Sequence, residues 1–302
     1  MRSDRQEYVG RQIIKKMKIS QETAQKGVDM GHAYYRYDKE ELLKASKIKL
    51  SVHQDNEAVF REMAQEMADT IREHNEAGKK TVFICPVGPV GQYPFFVELV
   101  NKNNINLSDV WFINMDEYLD ENKRWIDASH PLSFRGFMER NVYSRISPPL
   151  LMPENQRVFP DPSHPERVPE LIERLGGVDI AFGGIGINGH VAFNEADETM
   201  PAEEFLAQKT RVLEITSETR TANAIGDLNG AIEDMPRFCV TVGIYEIANA
   251  RKIRLGCFRN WHRAVVRRTA CGEKTAAFPV TLLQDHPDLH LRLTEYVAAL
   301  QD

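Results

Sequence analysis

The sequence predicts an α/β fold built on a mostly parallel sheet with helices on both faces. Three observations lead there. Short apolar runs without polar alternation, "TVFICPV" at 81–87, "DVWFINMDEY" at 109–118 and "VDIAFGGIG" at 178–186, read as strands buried on both sides. Segments with helical patterning lie between them. The 302 residues, 42% of them hydrophobic, suffice for one large core.

Residues 1–50 are polar and mixed in sign and are expected to form a helical appendage, with 51–302 as a single domain. Within the appendage, "IIKKMKI" and "KEELLKASKIKL" read as helical turns. From Asn56 to His74 the residues Val59, Phe60, Met63, Ala64, Met67, Ala68 and Ile71 recur at three- and four-residue spacing, which predicts an amphipathic helix closed at Gly78. After the first strand, "GPVGQYP" is a turn and "FFVELVNKN" a helix. "HPLSFRGFMERNVYSRI" and "VPELIERLGG" read as helices on either side of a Pro-rich connector. Further on, "RFCVTVGIYEI" and "KIRLGCF" read as two more buried strands, and "HRAVVRRTACG" as a helix ending at Gly272.

The formal net charge of −6 argues against general nucleic-acid binding, which needs a basic surface. Cys85, Cys239, Cys257 and Cys271 form no C-x-x-C pair. They read as buried reduced thiols rather than a disulfide framework or a metal site. No run approaches the ~18 apolar residues of a membrane span. The charged N-terminal "MRSDRQEYVGRQ" is unlike a signal peptide, so a cytoplasmic protein without membrane or nucleic-acid partners is expected.

Ligands of open α/β sheets bind beyond the carboxyl ends of the strands, and three such ends carry unusual residues. "PVGPVGQYP", with Gly88 and Gly91, would lead into a helix whose first amides offer an anion cradle. "NMDEYLD" places Asp116 and Glu117 side by side, of which at most one can face a given site. "GGIGINGHVAFNEA" contains a literal G-x-G-x-x-G at Gly184, Gly186 and Gly189, but the residues beyond Gly189 lack the helical stripe that a dinucleotide fold requires. Its glycines instead let the backbone approach a ligand and set His190 at the sheet edge, with Asn188 and Glu195 flanking it. A histidine so placed can move protons at a sugar oxygen, with a carboxylate to hold its tautomer.

In this order, "FINMDEYLD", "HPLSFRGFM", "GGIGINGHVAFNE" and "TSETRTANA" resemble segments of the glucosamine-6-phosphate deaminase (isomerase) family. The resemblance runs from about Leu50 to the C-terminus. Related 6-phosphogluconolactonases share the glycine–histidine part but not the F-N-E ending. The family likeness implies a three-layer, Rossmann-like α/β sandwich and isomerisation of an amino sugar phosphate with loss of ammonia. It implies that Asp116 moves a proton between C1 and C2. His190, oriented by Asn188 and Glu195, would assist ring opening. Gly88, Gly91, Glu117 and Arg263 are the expected substrate-binding residues. No cofactor and no metal are implied; the expected partner is a small-molecule sugar phosphate, and the chain would form a homo-oligomer.

The sequence departs from the family where the phosphate is gripped. The loop Val87–Pro94 lacks the family's hydroxyl donors, and Ile225 stands where the deaminases place an arginine. The family's lysine falls within "GCFRNWHRA", where Arg263 or His262 is the expected stand-in. Arg211, Arg220 and Arg259 are further candidates for a replaced grip. Of the positions matching the family's activator site, only Arg211 fits, so no inherited amino-sugar activator is expected. The alternatives are an isomerase or lactonase for another sugar, a catalytically silent sugar-binding protein, and, least, a dinucleotide enzyme.

Overall fold

The computed structural model describes residues 31–300. The expected turn "IIKKMKI" lies outside them. In chain order the elements are α1 (Lys39–Ala45), β1 (Lys49–His53), α2 (Asn56–Glu76), β2 (Thr81–Cys85), α3 (Gln92–Lys102), β3 (Val110–Asn114), β4 (Asp116–Leu119), α4 (Phe134–Asn141), β5 (Arg157–Val158), α5 (Arg167–Leu175), β6 (Ile180–Gly184), α6 (Ala202–Leu206), β7 (Arg211–Glu214), α7 (Ser217–Asp227), β8 (Phe238–Thr241), α8 (Ile244–Ala248), β9 (Lys252–Cys257), α9 (His262–Cys271), β10 (Leu289–Thr294) and α10 (Glu295–Ala298).

Seven strands form one sheet in the order β1-β10-β9-β6-β2-β3-β5, and every pairing is parallel. Alternate residues of one strand feed opposite cores. Phe83 and Cys85 of β2 join Met63, Met67, Phe96 and Met138 from α2, α3 and α4. Val82 and Ile84 join Val168, Ile247, Val266 and Val297 from the other face. That is the three-layer arrangement the sequence predicts. From β2 the chain works outward through β3 and β5, then returns to place β6 on the other side of β2. The strand order therefore reverses between β2 and β6, which is where ligands of such sheets bind.

Two sequence readings change. "DVWFINMDEY" is not one strand: β3 stays in the main sheet, and after Met115 the chain turns into β4 of a second sheet, β4-β8-β7, which is antiparallel. "RFCVTVGIYEI" likewise splits into β8 of that small sheet and the helix α8. β1 begins at Lys49, so the sheet takes up the last residues of the segment expected to be an appendage. The preceding residues are tied down as well. Asp38 and Glu41 form a reciprocal cap at the start of α1, and Lys47 N donates to Ala270 O at 2.8 Å. Among the described residues no helix is long and apolar enough to cross a membrane.

Under α2 two sheet arginines share a carboxylate. Arg254 Nε donates to Glu66 Oε1 at 2.7 Å and Arg292 Nη2 to Glu66 Oε2 at 2.6 Å. Both arginines are buried, at 6% and 3% exposure, and each keeps one further carboxylate, Asp288 for Arg254 and Glu62 for Arg292, so removing their common partner leaves two buried charges each with half its pairing. Burial pushes the Glu66 carboxyl up, but the two guanidiniums outweigh it and hold it below its ordinary value. Its contribution is therefore present above the ordinary carboxylate range and is lost as pH falls through it. Glu66→Gln is expected to lower the unfolding free energy by about 2–3 kcal/mol at neutral pH, read by urea melts. The deficit should shrink below about pH 4.

Candidate active site

Three strand ends meet at the switch point. A side chain on Gly184, the last residue of β6, would lie 3.2 Å from Gly88 O of the loop after β2 and 3.7 Å from Gly256 O of β9. Beyond Gly184 the chain makes a tight turn: Gly186 N donates to His190 O and Gly189 N to Gly186 O. The turn lets the His190 ring lie on its own backbone. A methyl group at position 186 would fall 1.9 Å from His190 Cε1, so only glycine fits. Gly189 takes φ +83°, and its α-carbon packs on the Phe278 ring. No helix opens here, and the next one is the short α6. The dinucleotide reading of these glycines is excluded by that geometry.

Asn188, His190 and Glu195 come together as the sequence predicts. Asn188 Nδ2 donates to Glu195 Oε2 at 2.8 Å, which turns Asn188 Oδ1 toward His190 Nδ1, 2.7 Å away. The imidazole proton is thereby fixed at Nδ1, and in the neutral ring Nε2 carries the lone pair. Nε2 has no partner among the described residues. Two residues unforeseen from sequence complete the cluster. Thr219 Oγ1 donates to Glu195 Oε2 at 2.9 Å and lies 3.2 Å from His190 Nδ1; Thr216 Oγ1 donates to the same oxygen at 3.2 Å. Both belong to the "TSETRTANA" segment, which was informative only as a family likeness. Burial acts to raise the Glu195 carboxyl, but its contacts with His190, Asn188 and Thr219 hold it below the ordinary range.

Asp116 and Glu117 separate as strand alternation requires. Asp116, 7% exposed, makes no side-chain hydrogen bond among the described residues. Burial, and then the charge of Glu117, push its carboxyl well above the ordinary value. Its cross-strand neighbour Thr241 accepts from Phe193 N at 3.0 Å, so β4 and the His190 loop share one anchor. Glu117 does not reach the site. It is fully buried, and its two oxygens accept from Tyr118 N, Phe134 N, Arg135 N and Ser133 Oγ, which caps α4. A carboxylate filled by four donors has no capacity left for a substrate.

The phosphate end is rearranged. The amides of Gly88, Val90, Gly91 and Gln92 donate to nothing among the described residues, so the loop is a cradle of bare N–H groups. Gly88 is exposed, whereas Gly91 is pressed against the Phe60 ring. Phe60 in turn touches Phe258, the residue before Arg259, with ring centroids 4.6 Å apart. The Arg259 guanidinium lies over Gly226, one residue past Ile225, and faces Asp227 at 3.9 Å. Together with Trp261 and Ile225 it lines a groove of about 880 Å³.

The expected cation Arg263 is not brought to the cluster: its Nε donates to Tyr296 O and its guanidinium stacks on the Tyr296 ring. His262 is no cation either. Its Nδ1 accepts from Phe258 N and Arg259 N, its Nε2 bonds Ile185 O, and burial lowers it to about 4. Arg211 is spent on Asn194 Oδ1, and Arg220 on Met235 O and Ile232 O. Cys85, Cys239 and Cys257 are buried free thiols. Among the described residues no group of three or more metal-ligating side chains occurs.

Because the folded state holds the Asp116 proton over a range where the unfolded chain has lost it, ionisation costs stability as pH rises. Asp116→Asn is expected to melt higher than the wild type at pH 8. The gap should close toward about pH 4, where the unfolded carboxyl also keeps its proton, as scanning calorimetry across pH would show.

No protein-family model matches the chain. It is 30% identical over 261 residues to a glucosamine-6-phosphate deaminase of Clostridium perfringens, covering 84% of this chain and 99% of the relative. It is 29% identical over 248 residues to one of Thermoanaerobacter pseudethanolicus, covering 80% and 92%. The solved structure of a monomeric glucosamine-6-phosphate deaminase superposes with a TM-score of 0.73 at 25% identity, over 84% of this chain and all of that one. A 6-phosphogluconolactonase from Shewanella baltica, at TM-score 0.61 and 17% identity over 82% and 97%, shares the fold. With the His190 loop and the strand order in place, these similarities establish that the chain belongs to the glucosamine-6-phosphate deaminase family.

Proposed function

We propose that the chain converts an amino sugar phosphate, glucosamine 6-phosphate or a close analogue, to the ketose phosphate and ammonia. The observation that carries this reading is a histidine with its proton pinned at Nδ1 and a bare Nε2, on a loop anchored through Thr241 to the strand that carries a buried carboxyl with no hydrogen bond among the described residues. His190 Nε2 takes the proton of the anomeric hydroxyl and passes it to the ring oxygen, which opens the ring. Asp116, acting as the carboxylate, then removes the proton at C2 while a proton from the C2 amino group passes to O1, and returns the C2 proton to C1, leaving an imine at C2. Water adds to that carbon and ammonia departs. Glu195 keeps the histidine in its working tautomer and balances the imidazolium while it exists. It is the F-N-E ending, absent from the lactonases, that supplies this carboxylate.

The phosphate is assigned to the bare amides of residues 88–92 and to Arg259, which replaces the arginine missing at Ile225. Assembly into a homo-oligomer and a cytoplasmic location extend this proposal and rest on the family resemblance alone.

Ammonia release from glucosamine 6-phosphate tests the reading. Asp116→Asn should abolish turnover, and Gly186→Ala, which displaces the His190 ring, should lower kcat about 100-fold or more. Failure of the wild type on both glucosamine 6-phosphate and galactosamine 6-phosphate would overturn it. Arg259→Ala should raise KM about 10- to 100-fold with a smaller change in kcat, the size of a lost charged hydrogen bond. An unchanged KM would remove Arg259 from the phosphate site.

A further inference from the structure

Helix α9 carries three arginines on adjoining faces, Arg263, Arg267 and Arg268. None of them forms an ion pair among the described residues, although the chain as a whole is acidic. All three line a cavity of about 600 Å³, and no aspartate or glutamate is among its lining residues. Arg267 is 1% exposed and fixed: Nε donates to Tyr37 O, Nη1 to Arg263 O and Nη2 to Ala298 O. A guanidinium held only by carbonyls keeps its full charge at the cavity floor. Among the described residues Arg268 donates to no acceptor, and it rests on the Phe278 ring at 4.3 Å. Arg263 spends only Nε, leaving both Nη groups open. Such guanidinium edges match the oxygens of a phosphate. Tyr35, Trp261 and Phe278 supply aromatic walls beside these charges.

We propose that this cavity is a second, regulatory ligand site for a phosphomonoester bearing a planar ring, of nucleoside monophosphate size. The phosphate sits between Arg263 and Arg268 over the fixed charge of Arg267, and the ring lies among the aromatic side chains. Like charges gathered with no ion pair among the described residues are costly, and an anion relieves that cost. The volume suits a ligand of this size. The cavity is connected to the chemistry by two contacts. Phe278, under Arg268, packs against Gly189, and Val280 N donates to Gly189 O at 2.8 Å. Gly189 directly precedes His190, and Ile187 of the same turn lines the cavity. An occupant that shifts Phe278 thus acts on the turn that aims His190.

The proposal does not rest on the deaminase reading, because binding is read without turnover. Titration calorimetry and thermal shift with adenosine 5′-monophosphate and with inorganic phosphate are the test, on the full chain. The nucleotide should bind one site per chain, and tighter than inorganic phosphate. Arg268→Ala should weaken it about 10-fold or more while leaving turnover without nucleotide unchanged. Arg268→Lys should lose less, and Arg259→Ala nothing. Should Arg268→Ala fold poorly, Arg263→Gln reads the same phosphate from the other side and should show the same loss. No binding up to about 1 mM nucleotide overturns the proposal, as does binding that Arg259→Ala removes and Arg268→Ala spares.

Discussion

The site depends on one contact, the His190 imidazole lying where a side chain of Gly186 would be. The other positions are set by it. With the ring held flat on the turn, Nδ1 points back into the protein, and only there do Asn188, Thr219 and Glu195 converge on it. Glu195 needs those donors as much as the histidine needs the carboxylate. Without them, burial would favour its neutral form, and a neutral carboxyl could not steady an imidazolium. The next layer is equally satisfied: Asn194, fully buried, bonds Val191 O, Val242 O, Ile244 N and Arg211. F-N-E thus encodes an anchor and a counter-charge in consecutive residues.

Much of this was legible in the sequence because the signals were local. Apolar runs without alternation marked β2, β3, β6 and β9, and the glycine spacing marked a close approach before any fold was known. What stayed hidden was set by pairing at long range. Nothing in "DVWFINMDEY" announces that the chain leaves the main sheet at Met115, because both halves are apolar and only the partner strand differs. β3 pairs with β2, and β4 with β8. The family likeness picks Asp116 as the base but also expects Glu117 at the substrate, and strand alternation alone cannot decide between them. Alternation says that they part, but only the cap of α4 says which one is consumed.

The arginines make the same point about charge. The sequence offers Arg263 first, and Arg211, Arg220 and Arg259 after it, as the replacement cation, yet a guanidinium already committed to carbonyl or amide oxygens is poorly placed to receive an anion. Arg211 and Arg220 are so committed, to the scaffold around the small sheet, whereas Arg263 keeps its Nη groups but is held beside Tyr296 and lines a different cavity from the Arg259 groove. Among the described residues Arg259 pairs only with an exposed carboxylate at 3.9 Å, an interaction of small worth that a bound dianion would outcompete.

The exchange at Ile225 then has a consistent physical reading. In the family likeness the phosphate cation comes from the helix after the T-R-x-A-N segment; here that helix, α7, offers an apolar face, with Ile225 68% exposed. On the proposed assignment, the charge comes instead from Arg259 in the loop after β9. That loop is held by His262, whose two nitrogens bind Phe258 N, Arg259 N and Ile185 O and so tie the loop to the end of β6. A neutral histidine is required for this, since Nδ1 must accept while Nε2 donates, and burial keeps it neutral. The residue that sequence offered as a replacement cation thus positions the one that takes the part. On the proposed assignment, the phosphate cation and the His190 turn are both tied to the end of β6, the one through His262 and the other through the chain itself.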